Sequence, residues 1–391
     1  MIVQRKAAGL LKRYAESYPV VTVTGPRQSG KTTLVKTVFP EMTYFNLENP
    51  EVRRFAREDP NGFFETIPDG AIIDEIQRVP ELLSYIMVRV DETNRSGQFI
   101  LTGSAQFEVM DSLSQSLAGR TALLRLLPFD LEEAYGRDGL GERQLDEVLF
   151  RGFYPRIISQ DLPPSEALSF YVETYLQRDV RSLLNVKDLD MFERFLGLCA
   201  GRTGQLLSLS SLANDLGVSH NTLKSWLSVL QASFIIKLIQ PFSKNINKRV
   251  VKTPKLYFLD VGLACYLLGI DNLNELRTHP LRGALFESLV VSECLKYRYN
   301  AGRRSNLYFF RDRSGNEVDL MLKHGDRYAA LEIKSAQTFH SDFTKGLKFL
   351  KDLLKEQISS MGIVYGGDLT QSRENIKVAG FRDLVPLLES L

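Results

Sequence analysis

Histidine, cysteine and tryptophan are scarce in this chain of 391 residues, which has four, three and one of them. Cys199, Cys265 and Cys294 are odd in number and far apart, without the close spacing of metal ligands. A disulfide-stapled scaffold and a zinc module are therefore excluded, and a reducing, cytoplasmic setting is expected. No run approaches the roughly 18 consecutive apolar residues of a membrane span, so no membrane partner is expected. The amino-terminal stretch sets Arg5, Lys6, Lys12 and Arg13 inside its apolar pattern and lacks the apolar core and cleavage site of a signal peptide. It reads as an amphipathic helix packed beside the next strand. Neither sign of charge dominates, with 49 basic against 47 acidic residues. That excludes a uniformly basic packing protein while leaving room for a local basic patch. Internal repeats and low-complexity segments are absent. The 44% hydrophobic and 25% charged composition is that of a globular chain, long enough for two or three domains.

Val20-Val21-Thr22-Val23-Thr24 is a short β-branched run, expected as a strand buried on both faces. It leads into Gly25-Pro26-Arg27-Gln28-Ser29-Gly30-Lys31-Thr32 and then Thr33-Leu34-Val35-Lys36. This is G-x-x-x-x-G-K-[ST] between a strand and a helix, the context of a P-loop. The glycines let backbone N–H groups close around phosphate oxygens, and the helix N-terminus adds partial positive charge. Lys31 reaches for the β- and γ-phosphates of ATP, and the Thr32 hydroxyl for Mg²⁺. A second buried run, Ala71-Ile72-Ile73, ends in Asp74-Glu75. Asp74 suits a metal contact and Glu75 a water-polarising base; the alternative is a strand followed by a helix whose first turn accepts acids. A third run, Phe99-Ile100-Leu101, ends in Thr102-Gly103-Ser104, where a hydroxyl could sense the γ-phosphate or simply end a strand. Arg120 follows the next helical stretch and is a candidate γ-phosphate contact in cis or in trans, or a helix C-terminal residue. With strands at Tyr44–Leu47 and Ala122–Leu127, the βα alternation predicts a parallel α/β sheet.

A helix is expected from Phe129, a charged glycine-containing loop over 136–146, and helices near 164–184 and 188–201. The Arg178–Asp179 pair reads as a structural or inter-domain contact. Leu209–Leu227 reads as helix–turn–helix, with Gly217 ending the first helix and Ser219 capping the second. Leu223, Trp226, Leu227 and Leu230 recur at helical spacing, so Trp226 is expected in a core. Two β-rich runs, Phe234–Ile239 and Lys255–Leu259, would enclose a wing. From Leu216 to Leu259 there is no acidic residue, while Lys224, Lys237, Lys244, Lys248, Arg249, Lys252 and Lys255 are basic. Lys224, Lys244, Lys248, Arg249 and Lys252, with His220, Asn221 and Ser225 beside them, are the candidate DNA contacts. The alternatives are a solvated basic face and a protein-partner surface.

The last third predicts a helix over Pro280–Lys296 and strands Leu307–Arg311, Glu317–Leu322 and Tyr328–Ile333. A two-residue His324-Gly325 hairpin would pair Lys323 with Asp326 and Val318 with Leu331. Val318, Leu320, Leu331 and Ile333 would then share one face, and Glu317, Asp319, Glu332 and Lys334 the other. Asp319 and Glu332 become diagonal neighbours, roughly 7–8 Å apart. A second Mg²⁺ or Mn²⁺ there would relieve their repulsion, and Lys334 could polarise a phosphate. Metal-dependent phosphodiester cleavage, a nucleic-acid-binding or regulatory relic, and an ion-paired hairpin all fit these residues.

GPRQSGKTTL, AIIDEIQ, FILTGSAQ and LAGR, in this order, resemble the prokaryotic AAA-superfamily ATPases fused to a C-terminal domain of unknown function. KLYFLDVGLA (255–264) and GNEVDL (315–320) extend the resemblance over essentially the whole chain. It implies an ASCE-type sheet with an extra strand between the P-loop and Walker B strands, Glu75 as catalytic glutamate, and Thr102 or Ser104 as sensor. Glu287, Asp319 and Glu332-Ile333-Lys334, in helix–strand–strand order, resemble the PD-(D/E)XK nuclease core. The expected organisation is an α/β P-loop ATPase core (1–135), a helical linker (136–200), a winged-helix-like unit (201–275) and an α+β PD-(D/E)XK-like domain (276–391). No second-region-of-homology arginine of ring-forming machines is evident, so the oligomeric state is open. The function implied is ATP-driven DNA binding or processing, or alternatively an ATP switch that recruits a protein partner through an inert nuclease-like domain.

Overall fold

The computed structural model describes residues 3–104, 117–176, 189–242 and 250–391. The first third is built around β1 (Val20–Gly25), whose six residues are all buried. Burial on both faces follows from its place in the middle of a five-stranded parallel sheet. The order is β2 (Tyr44–Asn46), β3 (Ala71–Asp74), β4 (Phe99–Ser104), β1, β5 (Thr121–Arg125). β4 lies between the P-loop strand and the Asp74 strand, the arrangement the resemblance implies. Alternate side chains feed two layers. Val21, Val23, Ile72, Ile100 and Leu124 pack with α1 (Ala7–Ser17) and α2 (Lys31–Val38). Ile73, Phe99 and Leu101 pack on the opposite side, under α3 (Pro50–Glu58), α4 (Pro60–Glu65) and α5 (Leu82–Thr93).

Next come α6 (Leu131–Glu142), α7 (Leu145–Arg151), α8 (Pro155–Ser159) and α9 (Pro164–Tyr171), the last running into a π turn over Val172–Leu176. The loop expected over 136–146 is instead helix on either side of a break at Gly136, where φ is 66°. Asp130 caps α6 and exchanges hydrogen bonds with Glu133, which offsets the weak helix propensity of its glycines. Arg178 and Asp179 lie outside the described residues. After α10 (Leu189–Ala200) come α11 (Leu209–Leu216) and α12 (His220–Ala232), the expected helix pair. Gly217 ends α11 with φ 68°, and the Ser219 hydroxyl accepts from Thr222 N at 3.1 Å. Trp226 packs between Phe192 and Phe195, at ring-centroid distances of 5.4 and 5.2 Å, as a core residue.

β7 (Ile236–Pro241) and β8 (Lys255–Phe258) pair antiparallel, with β6 (Gln205–Leu206) beyond β8. Rather than standing free, β7 also pairs in parallel with β9 (Leu307–Arg311). One nine-stranded sheet results, in the order β13-β14-β12-β11-β10-β9-β7-β8-β6. Its other members are β10 (Glu317–His324), β11 (Arg327–Lys334), β12 (Ile358–Tyr365), β13 (Gln371–Arg373) and β14 (Ile376–Gly380). α13 (Val261–Leu267), α14 (Leu273–Thr278), α15 (Arg282–Asn300), α16 (Lys345–Leu354) and α17 (Leu384–Ser390) complete the described elements. A smaller apolar core lies beneath α16, and a large one runs from Leu127 to Leu388 beneath the middle and last thirds. α15 is buried along most of its circumference, not on one side, because it crosses the centre of this core.

The hairpin register differs from the expected one. His324 pairs with Arg327 and Leu320 with Leu331, so the turn is Gly325-Asp326. Gly325, with φ 60°, takes the first central position, where hairpin turns favour positive φ. The shift is two residues, so it keeps side-chain parity; the pairing ends at Leu320 and Leu331, and beyond it the Asp319 carboxylate accepts from Ile333 N. Parity is broken elsewhere. A bulge between Val318 and Met321, facing β9, sends Val318 to the core beneath α16 while Leu320, Leu331 and Ile333 point to the α15 side.

Candidate functional site

Gly25–Thr33 wraps the C-terminal end of β1 and enters α2. Gln28 and Gly30 both have positive φ, 59° and 89°. Such reversals turn successive N–H groups inward and make an anion-binding concavity. Lys31 is buried and donates to the carbonyls of Gly25 and Pro26 at 3.1 and 2.8 Å. Ser29 Oγ is buried with no hydrogen-bond partner among the described residues. A cavity of about 870 Å³ opens above the loop, lined by Arg27, Lys31, Thr32 and Glu75 from the sheet and by Phe129, Pro155 and Arg156 from beyond it. That volume is ample for a nucleotide.

Asp74 ends β3 beside the first turn of α2. Its Oδ2 accepts from the hydroxyls of Thr32 at 2.8 Å and Tyr44 at 2.7 Å, and its Oδ1 from Thr102. Magnesium fits this donor set: a serine-type hydroxyl and a carboxylate converge beside the phosphate loop, the hard oxygen ligands that the ion prefers. Glu75 follows with φ 59°, a left-handed conformation uncommon for a residue with a side chain. Its N–H donates to Thr102 Oγ1 at 3.3 Å. Gln77 donates to Glu75 Oε2 and, at 3.0 Å, to Ser104 Oγ. Burial pushes the Glu75 carboxyl upward, and the nearby Lys31 and Arg27 charges oppose that. Thr102 and Ser104 are thus both tied to the two carboxylates, one to Asp74 and one to Glu75 through Gln77.

Arg120 is not brought to this site. Its carbonyl accepts from Val20 N, at the start of β1, and its guanidinium grips Asp91 on α5 at the protein surface. The phosphate loop begins at the other end of β1, roughly 16 Å away at about 3.3 Å per residue. Arg120 is thus placed at the end of the sheet opposite the phosphate loop. Tyr44 and Gln77 were missed by sequence reasoning. Tyr44 had no motif to mark it, and Gln77 only its place two residues after Glu75.

The four C-terminal candidates do converge. Lys334 Nζ lies 2.5 Å from Glu332 Oε1 and 3.3 Å from Asp319 Oδ2, and Asp319 Oδ2 also accepts from Ile333 N at 2.8 Å. Glu287, from α15, accepts from Tyr257 and Lys255 on β8 at 2.5 and 2.9 Å. Lys255 Nζ also lies 2.5 Å from Glu317 Oε1. Burial and the Asp319 charge push Glu287 to about 7 and Glu332 to about 8. Two ammonium groups therefore sit where the sequence suggests a second Mg²⁺ or Mn²⁺. No group of three or more His, Cys, Asp or Glu among the described residues is placed to hold a metal. Lys255 and Lys334 pair with these carboxylates, while Glu332 Oε2 is buried with no hydrogen-bond partner among the described residues; a second divalent-cation site is not shown.

Of the candidate nucleic-acid contacts, Lys224 and Lys252 are exposed, as are His220, Asn221 and Ser225. Lys244, Lys248 and Arg249 lie outside the described residues. Lys255 is spent in the carboxylate cluster and adds nothing to a surface footprint.

Residues 17–135 match the family model described as an AAA domain. Residues 142–274 and 282–384 match two domains of unknown function, DUF8612 and DUF4143. The uncharacterized protein Rv2008c of Mycobacterium tuberculosis is 31% identical over 374 residues, spanning 94% of this chain and 81% of the relative. The chain belongs to its family. Mb2031c of Mycobacterium bovis, also uncharacterized, matches to the same extent. This chain thus carries an AAA-type P-loop ATPase domain ahead of two domains of unknown function. Among solved structures, the Walker-type ATPase PABY2304 of Pyrococcus abyssi shows 17% identity and a TM-score of 0.41, over 68% of this chain and 96% of that one. RuvB of Thermotoga maritima shows 20% identity and a TM-score of 0.30, over 59% and 85%. No helix among the described residues is long and apolar enough to cross a membrane.

Proposed function

We propose that this chain is a cytoplasmic, Mg-dependent ATPase that couples ATP binding and hydrolysis to DNA binding or processing by the segments after its sheet. One observation carries the coupling. The cavity over the phosphate loop is closed on one side by Phe129, Pro155 and Arg156, so the nucleotide would touch the segment that leads into the rest of the chain. In hydrolysis, the Glu75 carboxylate takes a proton from the attacking water as its oxygen bonds to the γ-phosphorus. The bond from that phosphorus to the β–γ bridging oxygen breaks, and ADP leaves. Lys31 and the inward N–H groups of the loop offset the charge that develops. Magnesium, when bound, neutralises charge between the β- and γ-phosphates, and Thr32 and Asp74 would hold it.

The working division is an ATPase core (1–135), a helical linker (136–200), a winged-helix-like unit (201–275) and a PD-(D/E)XK-like domain (276–391). Support for the winged helix is the capped α11–α12 pair followed by the β7–β8 hairpin. Exposed Lys224 and Lys252 support a phosphate-backbone contact. Support for the last unit is the order α15, β9, β10, β11, α16, β12, with Glu287, Asp319, Glu332 and Lys334 on its first four elements save β9.

A second reading, an ATP-dependent switch that recruits a protein partner through an inert nuclease-like domain, is favoured by the ammonium groups inside the carboxylate cluster. One experiment separates the two. Purified protein is incubated with single- and double-stranded DNA in Mg²⁺ and separately in Mn²⁺, with and without ATP, and both cleavage and phosphate release are measured. DNA-stimulated phosphate release lost in Lys31→Ala supports the first reading, and cleavage lost in Asp319→Ala extends it to a nuclease. Phosphate release indifferent to DNA, without cleavage in either metal, supports the switch. Absence of phosphate release overturns both.

A further inference from the structure

We infer that Arg5 is a positioning residue for the phosphate loop, aimed by Glu133; this rests on the ATPase reading of that loop. Arg5 stands just ahead of α1, and its side chain is only 6% exposed. One terminal nitrogen donates to the carbonyl of Ser29 and the other to that of Leu127, each at 2.7 Å. Its Nε lies 3.2 Å from Glu133 Oε1, and its Cζ sits 5.0 Å above the Phe129 ring. The guanidinium therefore joins three pieces of chain: the phosphate loop, the strand exit after β5, and the first turn of α6.

The contact with Ser29 bears on phosphate binding through the geometry of one peptide unit. A trans peptide is planar, with its C=O and N–H pointing in opposite directions. Holding the Ser29 carbonyl on the Arg5 side thus fixes the direction of the Gly30 N–H. That N–H belongs to the second glycine of G-x-x-x-x-G-K, one of the donors the phosphates require. Gly30 sits close under the guanidinium, since a Cβ there would lie 3.5 Å from the Arg5 nitrogen. A flat fork serves two carbonyls at once through its two terminal nitrogens while its Nε faces the Glu133 carboxylate as an ion pair; a lysine ammonium in the same place is a single point.

Glu133 fixes the direction from which Arg5 approaches. Its carboxylate also accepts from Lys6 N at 2.7 Å and from Asp130 N at 3.0 Å, so it is immobilised by backbone on both sides. The neighbouring Leu131 N donates to Glu293 on α15, which is paired with Lys296 at 2.8 Å. The loop's geometry is thereby set by a segment anchored in the last third of the chain.

The test is steady-state ATP hydrolysis and direct binding of a fluorescent ATP analogue by the full chain, for Arg5→Lys and Glu133→Gln. Arg5→Lys is expected to raise KM and weaken analogue binding roughly tenfold or more, with kcat changed less, as for a lost charge-assisted contact. Glu133→Gln is expected to shift both the same way, by less. Arg282→Lys is the comparator. Arg282 is a partly buried arginine on Asp146 and the Ser335 carbonyl, and its loss should lower Tm while leaving KM at the wild-type value. Unchanged KM and analogue affinity in Arg5→Lys overturn the inference. Should that variant not fold, unchanged values in Glu133→Gln do so. Turnover that survives Lys31→Ala overturns the ATPase reading instead, and analogue affinity then still decides the role of Arg5.

Discussion

The Thr32 hydroxyl donates to Asp74 Oδ2 at 2.8 Å, joining the first turn of α2 to the end of β3. The same carboxylate takes two further hydroxyls, from Tyr44 and Thr102. Asp74 is thus held by three donors from three different elements, and only one of them belongs to the phosphate-loop motif. Their convergence locates the magnesium requirement of the proposed ATPase.

Loss of these hydroxyls should therefore be read in magnesium dependence. Thr32→Ala is expected to raise the Mg²⁺ concentration for half-maximal turnover roughly tenfold or more. Tyr44→Phe, which removes an orienting partner and not a ligand, should shift it by up to about tenfold. Magnesium titrations of phosphate release check both.

Glu75 must be ionised to accept a proton. Burial raises its carboxyl above the usual range, so turnover should fall on the acid side at a pH above that of an ordinary glutamate. The hydrogen bond from Gln77 favours the ionised form, so Gln77→Ala should move this acid limb to higher pH. Glu75→Gln should lower kcat by about 10²–10⁴ while nucleotide still binds. Rate–pH profiles and analogue binding read these outcomes.

Removing Lys255 would leave Glu287 without a cation and Glu317, half-buried, with Arg311 alone. Lys255→Met should cost about 3–5 kcal/mol, as for a broken buried ion pair. Adding Glu287→Gln should recover part of the loss, since it removes the stranded charge. Thermal melting of the full chain measures both steps.

The carboxylates of this cluster also predict the direction of a pH effect. Glu287 and Glu332 stand at about 7 and about 8 when folded, above the usual glutamate value near 4.3. A group raised on folding contributes stability that is complete below its unfolded pKa and is lost as pH rises through the folded one. The melting temperature should therefore fall between about pH 4 and pH 8 and level off above that, and Glu332→Gln should flatten that slope. An unchanged slope in Glu332→Gln would remove Glu332 as its source.

The sequence by itself determined the parts whose physics is local. A β-branched run, two glycines ahead of a lysine, and a following helix make a phosphate loop from residues that are near neighbours in the chain. An acidic pair after a buried strand falls at the end of that strand because a parallel sheet aligns its strand ends. Capping at Ser219 and chain reversal at Gly217 are likewise set within a few residues. Even the hairpin's sorting of faces survived a wrong turn residue for most positions, since a slip of two preserves the period of two.

Tertiary structure alone decided which distant groups share a site. Arg120 resembled a phosphate contact in one dimension, yet the direction of β5 carries it to the far end of the sheet. Arg5 looked like a charge on an amphipathic helix and is instead buried on the phosphate loop, because Leu127 and Glu133 return to it from more than a hundred residues away. Lys255 counted toward a basic surface until the pairing of β7 with β9 carried β8 against α15 and turned its ammonium into the carboxylates. Sequence spacing carries no information on such partners; burial, which forbids an unpaired charge, selects them after the chain has folded.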